Sequence, residues 1–186
     1  MKESRKTRYT KHALKDAMSE LLKEKEVSEI SIRELCALSD LNRSTFYAHY
    51  EDIYSLFSEM EDEMAEQMPI ILNGGDIYAS MYEFLGYCRD NFEMINVFAS
   101  QGHLAEKMNQ RSADLWNQNE THSPQEADVF RFLSAFFTNG LFHSLIWWMS
   151  KESSMSQEVT AQIITKIFED ITDIRLDLTG SHGAAA

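Results

Sequence analysis

The sequence predicts an all-α protein, and three observations carry that prediction. Apolar residues recur at the three- and four-residue spacing of a helix along most of the chain; glycine and proline are few, seven and two among 186 residues; and alternating β-branched runs are scarce. Both prolines, Pro69 and Pro124, fall between periodic stretches, where they end helices. Domains of about 50 to 250 residues are ordinary, so a chain of this length divides into a small head and a larger core.

In chain order, Lys2, Arg5, Lys6, Arg8, Lys11 and Lys15 concentrate positive charge near the N-terminus, opposed there by Glu3 alone. Lys2 to Lys6 read equally well as an arm lying on phosphate or as an ordinary solvated terminus. From Thr10, a stripe of Ala13, Leu14, Ala17, Met18, Leu21 and Leu22 predicts a helix ending near Lys25. Ser31 and Glu34 form a capping-box pair, and Ile32, Leu35 and Leu38 follow at helical spacing. Ser39 and Asp40 break the pattern, Leu41 turns inward, and Asn42 caps a second short helix from Arg43 to His49. Phe46 and Tyr50 would face the first of these helices, leaving Arg43, Ser44, Thr45, Tyr47 and His49 outside. This is a helix-turn-helix outline whose outer face carries hydrogen-bonding and cationic side chains of the kind that read DNA in the major groove. By spacing alone it fits any pair of amphipathic helices equally well.

The string Thr45-Phe46-Tyr47-Ala48-His49-Tyr50 stands after Ile32 to Asn42 and before Asp52-Ile53-Tyr54-Ser55-Leu56. Over residues 8 to 57 the chain resembles the DNA-binding domain of the tetracycline-repressor-like (TetR) family of bacterial transcription regulators. The resemblance implies a three-helix DNA-binding head, a fourth linking helix, and a C-terminal helical ligand-binding and dimerisation domain. It implies a homodimeric repressor on a palindromic operator in double-stranded DNA, with Arg33, Asn42, Arg43, Ser44, Thr45, Tyr47 and His49 as DNA-binding residues. Arg43 and Ser44 are assigned to base edges, and Thr45, Tyr47 and His49 to phosphate. Two positions depart from the family pattern: Asp40 stands where a turn glycine is common, and Ile53 where a lysine often contacts phosphate. The second leaves an alternative, a TetR-like coregulator acting mainly through a protein partner with weak or no DNA binding.

The linking helix is marked by Asp52 as cap and by Ile53, Leu56, Phe57, Met60, Met64 and Met68; Pro69 and Asn73 to Asp76 end it. Expected domains are 1–56 for the head and 57–179 for the regulatory part, with 180–186 a patternless, disordered tail. Further helices are predicted over 77–89, 91–98, 104–119, 127–151 and 157–178, with a break at 100–103. The last two are apolar on more than one face, which asks for partners both inside and outside the subunit. Phe137, Leu141, Trp148, Ile164, Phe168 and Ile171 are the expected dimer interface. Tyr87, Phe98, His103, Trp116, Phe132, Phe136 and Trp147 are candidate walls of a pocket for a small apolar or aromatic effector, with plain core packing as the other reading.

Charge and composition fit this division. Residues 1–50 carry ten Lys and Arg against eight Asp and Glu, and 51–186 carry seven against 22, so the net charge of −13 belongs entirely to the second part. The head should attract DNA while the remainder repels it. Cys36 and Cys88, each within a helical pattern, suggest neither a disulfide framework nor a metal cluster, and fit a reducing, cytoplasmic setting. No signal peptide is read at the start. Val129 to Met149 has about the 20 residues a membrane span needs, but Arg131, Asn139, Gly140 and His143 interrupt it, so it is expected as a buried helix with no membrane partner and His143 as a core histidine. The histidines are scattered, and no His-Glu-x-x-His, paired-Cys or Gly-rich phosphate motif occurs. No catalytic residue, metal or cofactor is expected.

Overall fold

The computed structural model describes residues 4–69, 75–117, 123–150 and 153–180, with side chains described as far as Leu115 and Ile174 in the second and fourth of these stretches. These residues form nine α-helices and one 3-10 turn, with no strand among them. The head comprises α1 (Arg5–Leu22), the 3-10 turn Val27–Glu29, α2 (Ile32–Leu38) and α3 (Arg43–Tyr47), followed by the linking helix α4 (Ile53–Gln67). The larger part comprises α5 (Ile77–Asp90), α6 (Phe92–Gln101), α7 (Leu104–Asn117), α8 (Pro124–Met149) and α9 (Gln157–Gly180).

Local signals set most boundaries. Ser4 Oγ accepts the Thr7 N–H, so α1 starts at Arg5, about a turn before the apolar stripe begins. Arg5 and Lys6 therefore belong to a helix and not to a free arm; residues 1–3 lie outside the described residues. The Ser31–Glu34 box caps α2 as expected, and an Asp52–Ser55 box caps α4. Asp76 caps α5 and Ser123 caps α8, whose first residue is Pro124, a favoured position because its missing N–H would be unpaired there anyway. α6 runs through Ser100 to Gln101, so the expected break narrows to Gly102 and His103. Gly180, assigned to the tail, is the last residue of α9, and 181–186 lie outside the described residues.

One continuous core runs from the head to the C-terminal helices. Leu14, Met18, Leu35, Phe46 and Leu56 are fully or almost fully buried in the head, and Met81, Leu85, Cys88, Ile95, Phe98, Leu104 and Leu145 in the rest. Burial pushes the Cys88 thiol up to about 12, which leaves it a small apolar filler and not a nucleophile. α4 packs against α7, α5 against α9, and α8 against both α7 and α9. Gln157 fastens α9 to α5, its Nε2 donating to Tyr82 O (2.9 Å) and its Oε1 accepting from Arg89 Nη1 (2.6 Å).

The expectation of a buried α8 is corrected. Of its 26 residues only Leu141, Phe142 and Leu145 are buried, while Phe132 is 71 % and Phe136 69 % exposed. His143, expected in the core, is exposed as well. α8 packs against α6, α7 and α9, which bury Leu141, Phe142 and Leu145, while its outward face, polar and aromatic residues alike, stays in solvent.

Candidate nucleic-acid interface

The head's outer surface is built by α2 and α3. Phe46, fully buried, and Tyr50, 5 % exposed, anchor α3 and its C-terminal end against α2. Their rings lie 5.8 Å apart, and Tyr47 meets Phe46 edge-on at 5.6 Å. With that face fixed, Arg43, Ser44 and Tyr47 point to solvent, Thr45 and His49 are half-buried, and Arg33 on α2 is exposed. Asn42 is exposed but engaged: its Oδ1 accepts from the Thr45 N–H (2.8 Å), Ser44 Oγ (2.6 Å) and Thr45 Oγ1 (2.9 Å). Only its amide NH2 is left for another acceptor, so Asn42 serves first as the cap that orients α3.

The turn between α2 and α3 confirms the reading of Asp40. It has φ 52°, the sole positive φ at a non-glycine among the described residues, and Asp tolerates this region better than most side chains. Ile53, in the other departing position, is 6 % exposed and belongs to the head's core. The capping carboxylate of Glu34 is held at about 2, mainly by its hydrogen bond to Lys25 and then by Ser31, so α2 keeps its cap through the ordinary pH range.

The basic N-terminal run divides in two. Lys11 and Lys15 both bond Glu59 of α4, at 2.9 and 2.6 Å, Lys15 also reaches Glu63, and Tyr50 Oη donates to Glu59 at 3.2 Å. Burial raises the Glu59 carboxyl, but Lys15 and Lys11 outweigh it and hold the group below the usual range. These two lysines therefore fasten α1 to α4. Arg5, Lys6 and Arg8 remain exposed on α1.

Of the expected effector walls, Phe136 and Trp147 share one groove between α8 and α9, and the other described ones do not line it. Phe98 is core, 1 % exposed and stacked edge-on against Phe57 at 5.0 Å. Tyr87 is half-buried on α5 and the His103 side chain is exposed; the Trp116 side chain lies outside the described ones. Phe132, Phe136 and Trp147 are instead the outward aromatics of α8. Of the expected dimer residues, Leu141 and Ile164 are buried, Phe137 and Phe168 meet edge-on at 5.3 Å, Trp148 Nε1 donates to Met155 O, and all but Phe168 line the same groove between α8 and α9. Ile171, which also lines this groove, is half-buried. The two sets are adjacent stripes of the same helices, turned by about one residue. The outward stripe continues on α9 as Val159, Ile163, Ile167 and Ile174, each 44 to 49 % exposed, which were not assigned to the interface from sequence although their helical spacing of four, four and seven residues was visible there. The groove, about 370 Å³, is lined almost wholly by apolar side chains, among them Phe136, Trp147, Ile163 and Ile167, and by Gly140.

No family model matches the chain. It is similar to an uncharacterized HTH-type transcriptional regulator, YxbF, of Bacillus subtilis, 20 % identical over 177 residues; the match takes in 87 % of this chain and 44 % of the relative, so the chain spans less than half the length of that protein. Among solved structures it is similar to a TetR transcriptional regulator from Streptococcus agalactiae, with a TM-score of 0.65 and 20 % identity over 88 % of this chain and 95 % of that one. It is also similar to NalD of Pseudomonas aeruginosa, the secondary repressor of the MexAB-OprM multidrug efflux pump, with a TM-score of 0.55 and 16 % identity over 91 % of this chain and 97 % of that one. A third is the TetR family repressor AlkX from Dietzia, with a TM-score of 0.54 and 16 % identity over 88 % and 95 % of the two chains. All four relatives are named as regulators or repressors, none as an enzyme. The head, α4 and the five-helix C-terminal part described above thus make up a TetR-like fold.

Proposed function

We propose that this chain is a DNA-binding transcription regulator, a homodimeric repressor that reads a palindromic operator with α2 and α3. The carrying observation is the division of α3: Phe46 buried beneath it, and Arg43, Ser44 and Tyr47 presented outward beside exposed Arg33. Arg43 and Ser44 take base edges, while Thr45, Tyr47 and His49 take phosphate with Arg33. The Ser44 hydroxyl hydrogen is engaged by Asn42, so its oxygen is left to accept.

The second half of the reading is the dimer. By length and composition α8 also qualifies as a membrane-crossing helix. Its outward face is continuous with the exposed isoleucines of α9, however, and a shared apolar face on two packed helices suits a second copy of the same pair. The partner's aromatic and aliphatic side chains then fill the groove around Gly140. A twofold arrangement places two recognition helices about one DNA turn apart, near 34 Å. Release by a small apolar or aromatic effector enters this reading only through the family resemblance of residues 8 to 57; of its candidate walls, Phe136 and Trp147 share the groove between α8 and α9.

The test is binding of a labelled duplex selected by the wild-type protein from a randomised pool. Arg43→Ala should cost about 1 to 3 kcal/mol and relax choice at one base position, whereas Tyr47→Phe should weaken all sites alike. Unchanged affinity and unchanged choice in Arg43→Ala would overturn the assignment.

A further inference from the structure

Three residues at the α6–α7 corner touch both halves of the molecule. Gln101 Oε1 accepts the N–H of Val27, in the head's 3-10 turn, at 2.8 Å. The His103 N–H donates to Oε1 of Glu61, on the linking helix α4, at 2.6 Å. Between them, Gly102 leaves the space that Glu61 occupies: a Cβ there would collide with the Glu61 carboxylate and press on the Phe57 ring. Glycine is thus favoured here by the close approach of two side chains and not by backbone angle, since its φ of −123° is open to any residue. Around this contact Lys107 bonds Ser58 Oγ at 3.0 Å and pairs with Asp62, while Arg111 donates to Ala65 O and Met68 O at the end of α4.

Glu61 is the one acid among the described residues that is buried, 2 % exposed, and it has no ion pair of its own among them. The charged and titratable groups facing it are Asp62 on its own helix and His103 and Lys107 at the start of α7. α6 brings the neutral Gln101 and Phe98 to the joint. Lys107 is already engaged by Asp62. A carboxylate held this way keeps one strong hydrogen bond and gives up its hydration, a costly exchange for an ionised group.

We propose that Gln101-Gly102-His103 is a loaded clamp on the head: closing it fixes the angle of the helix-turn-helix to the regulatory part, and the buried Glu61 charge biases it toward opening. Opening returns the carboxylate to water and frees the Val27 N–H together with it. The sign follows from linkage. Burial raises the Glu61 carboxyl above the usual glutamate range, against the pull of the His103 N–H and of Lys107. Protonation therefore favours the closed form, and closure strengthens as pH falls through the raised value; above it the clamp carries the cost of the charge.

The experiment is amide hydrogen exchange by mass spectrometry on the full chain, corrected for intrinsic rates, at about pH 7.5 and about pH 5.5. Glu61→Gln keeps an acceptor for the His103 N–H and removes the charge, so exchange at 26–30 and 101–104 should slow several-fold at the higher pH and lose its pH dependence. Gln101→Ala should speed exchange over the same two segments and leave the α5–α9 core unchanged. A purely structural Glu61 would alter exchange across the whole core by one common factor, and that result overturns the proposal. So does an unchanged pattern in Gln101→Ala, the variant that decides should Glu61→Gln not fold. The DNA arm rests on the regulator reading: the two variants should shift affinity for the selected duplex in opposite directions, and shifts in the same direction overturn the clamp. Wild-type protein that binds no duplex would sink the regulator reading while leaving the exchange result to decide the clamp.

Discussion

Truncating one outward and one inward aromatic or aliphatic residue of α8 should separate association from folding. Phe136 is 69 % exposed in the single subunit, and full burial of a phenylalanine contributes about 1.5 to 3 kcal/mol, so covering it against a partner contributes about 1 to 2 kcal/mol per copy. Two copies lie in a twofold interface. Phe136→Ala should then cost the dimer about 2 to 4 kcal/mol, which raises its dissociation constant roughly 30- to 700-fold. Leu141 is only five residues on but 9 % exposed, so Leu141→Ala creates a cavity inside the subunit and should cost about 2 to 5 kcal/mol of folding stability. Sedimentation velocity over a dilution series reads the first effect. Urea unfolding, at a concentration where every variant is monomeric, reads the second free of coupling to association. A Phe136→Ala protein that dimerises like wild type, or a Leu141→Ala protein that loses the dimer with unchanged unfolding, would refute this assignment of faces. A wild-type chain that remains monomeric at micromolar concentration would refute the interface itself.

Two further outcomes test the head. Asp40 has φ 52°, so Asp40→Gly should leave stability unchanged or raise it slightly, while Asp40→Ala should cost about 1 kcal/mol in urea unfolding. Glu59 is held below the usual carboxylate range by Lys15 and Lys11 against the opposing effect of burial. Its contribution is therefore fully present above the unfolded glutamate range and lost as pH falls through the depressed value. Wild type should exceed Glu59→Gln in melting temperature at neutral pH, and the gap should close in strong acid.

What was legible in the sequence was what is decided within a few residues. The Ser31–Glu34 and Asp52 caps, the Asp40 turn and the inward pair Phe46 and Tyr50 are all local, and the structure has them where the sequence put them. The early start of α1 was equally local: Ser4 three residues before Thr7 is a capping signal, hidden because the following turn is basic and exposed and adds no apolar stripe. The faces of α8 and α9 were not legible. On a helix where Phe132, Phe136, Phe137, Leu141, Leu145, Trp147 and Trp148 leave little polar reference, periodicity establishes a helix but not its rotation, and an error of one residue exchanges core for surface. The clamp was out of reach for another reason. Val27 and Gln101 are 74 residues apart, and Glu61 and His103 42 apart, so nothing in either neighbourhood announces the other.

The same distinction between local and distant partners determines which cations DNA should feel. By composition Lys11 and Lys15 count toward a basic head, but their ammonium groups are spent on Glu59 and Glu63, and the Lys15 side chain is only 16 % exposed. Arg33 is exposed on α2 and takes part in none of the ion pairs described among these residues. A cation already neutralised within the protein displaces no counterion from DNA, whereas a free one releases about 0.9 ion per phosphate it meets. Arg33→Gln should therefore flatten the plot of log affinity against log salt by roughly one per head, or about two per dimer. Lys15→Gln should leave the slope unchanged even though it loosens α1 from α4. Titration of the selected duplex across a salt series measures both. Equal flattening by the two variants would mean that the lysines abandon Glu59 and Glu63 on DNA, and that the α1–α4 network belongs to the free protein alone.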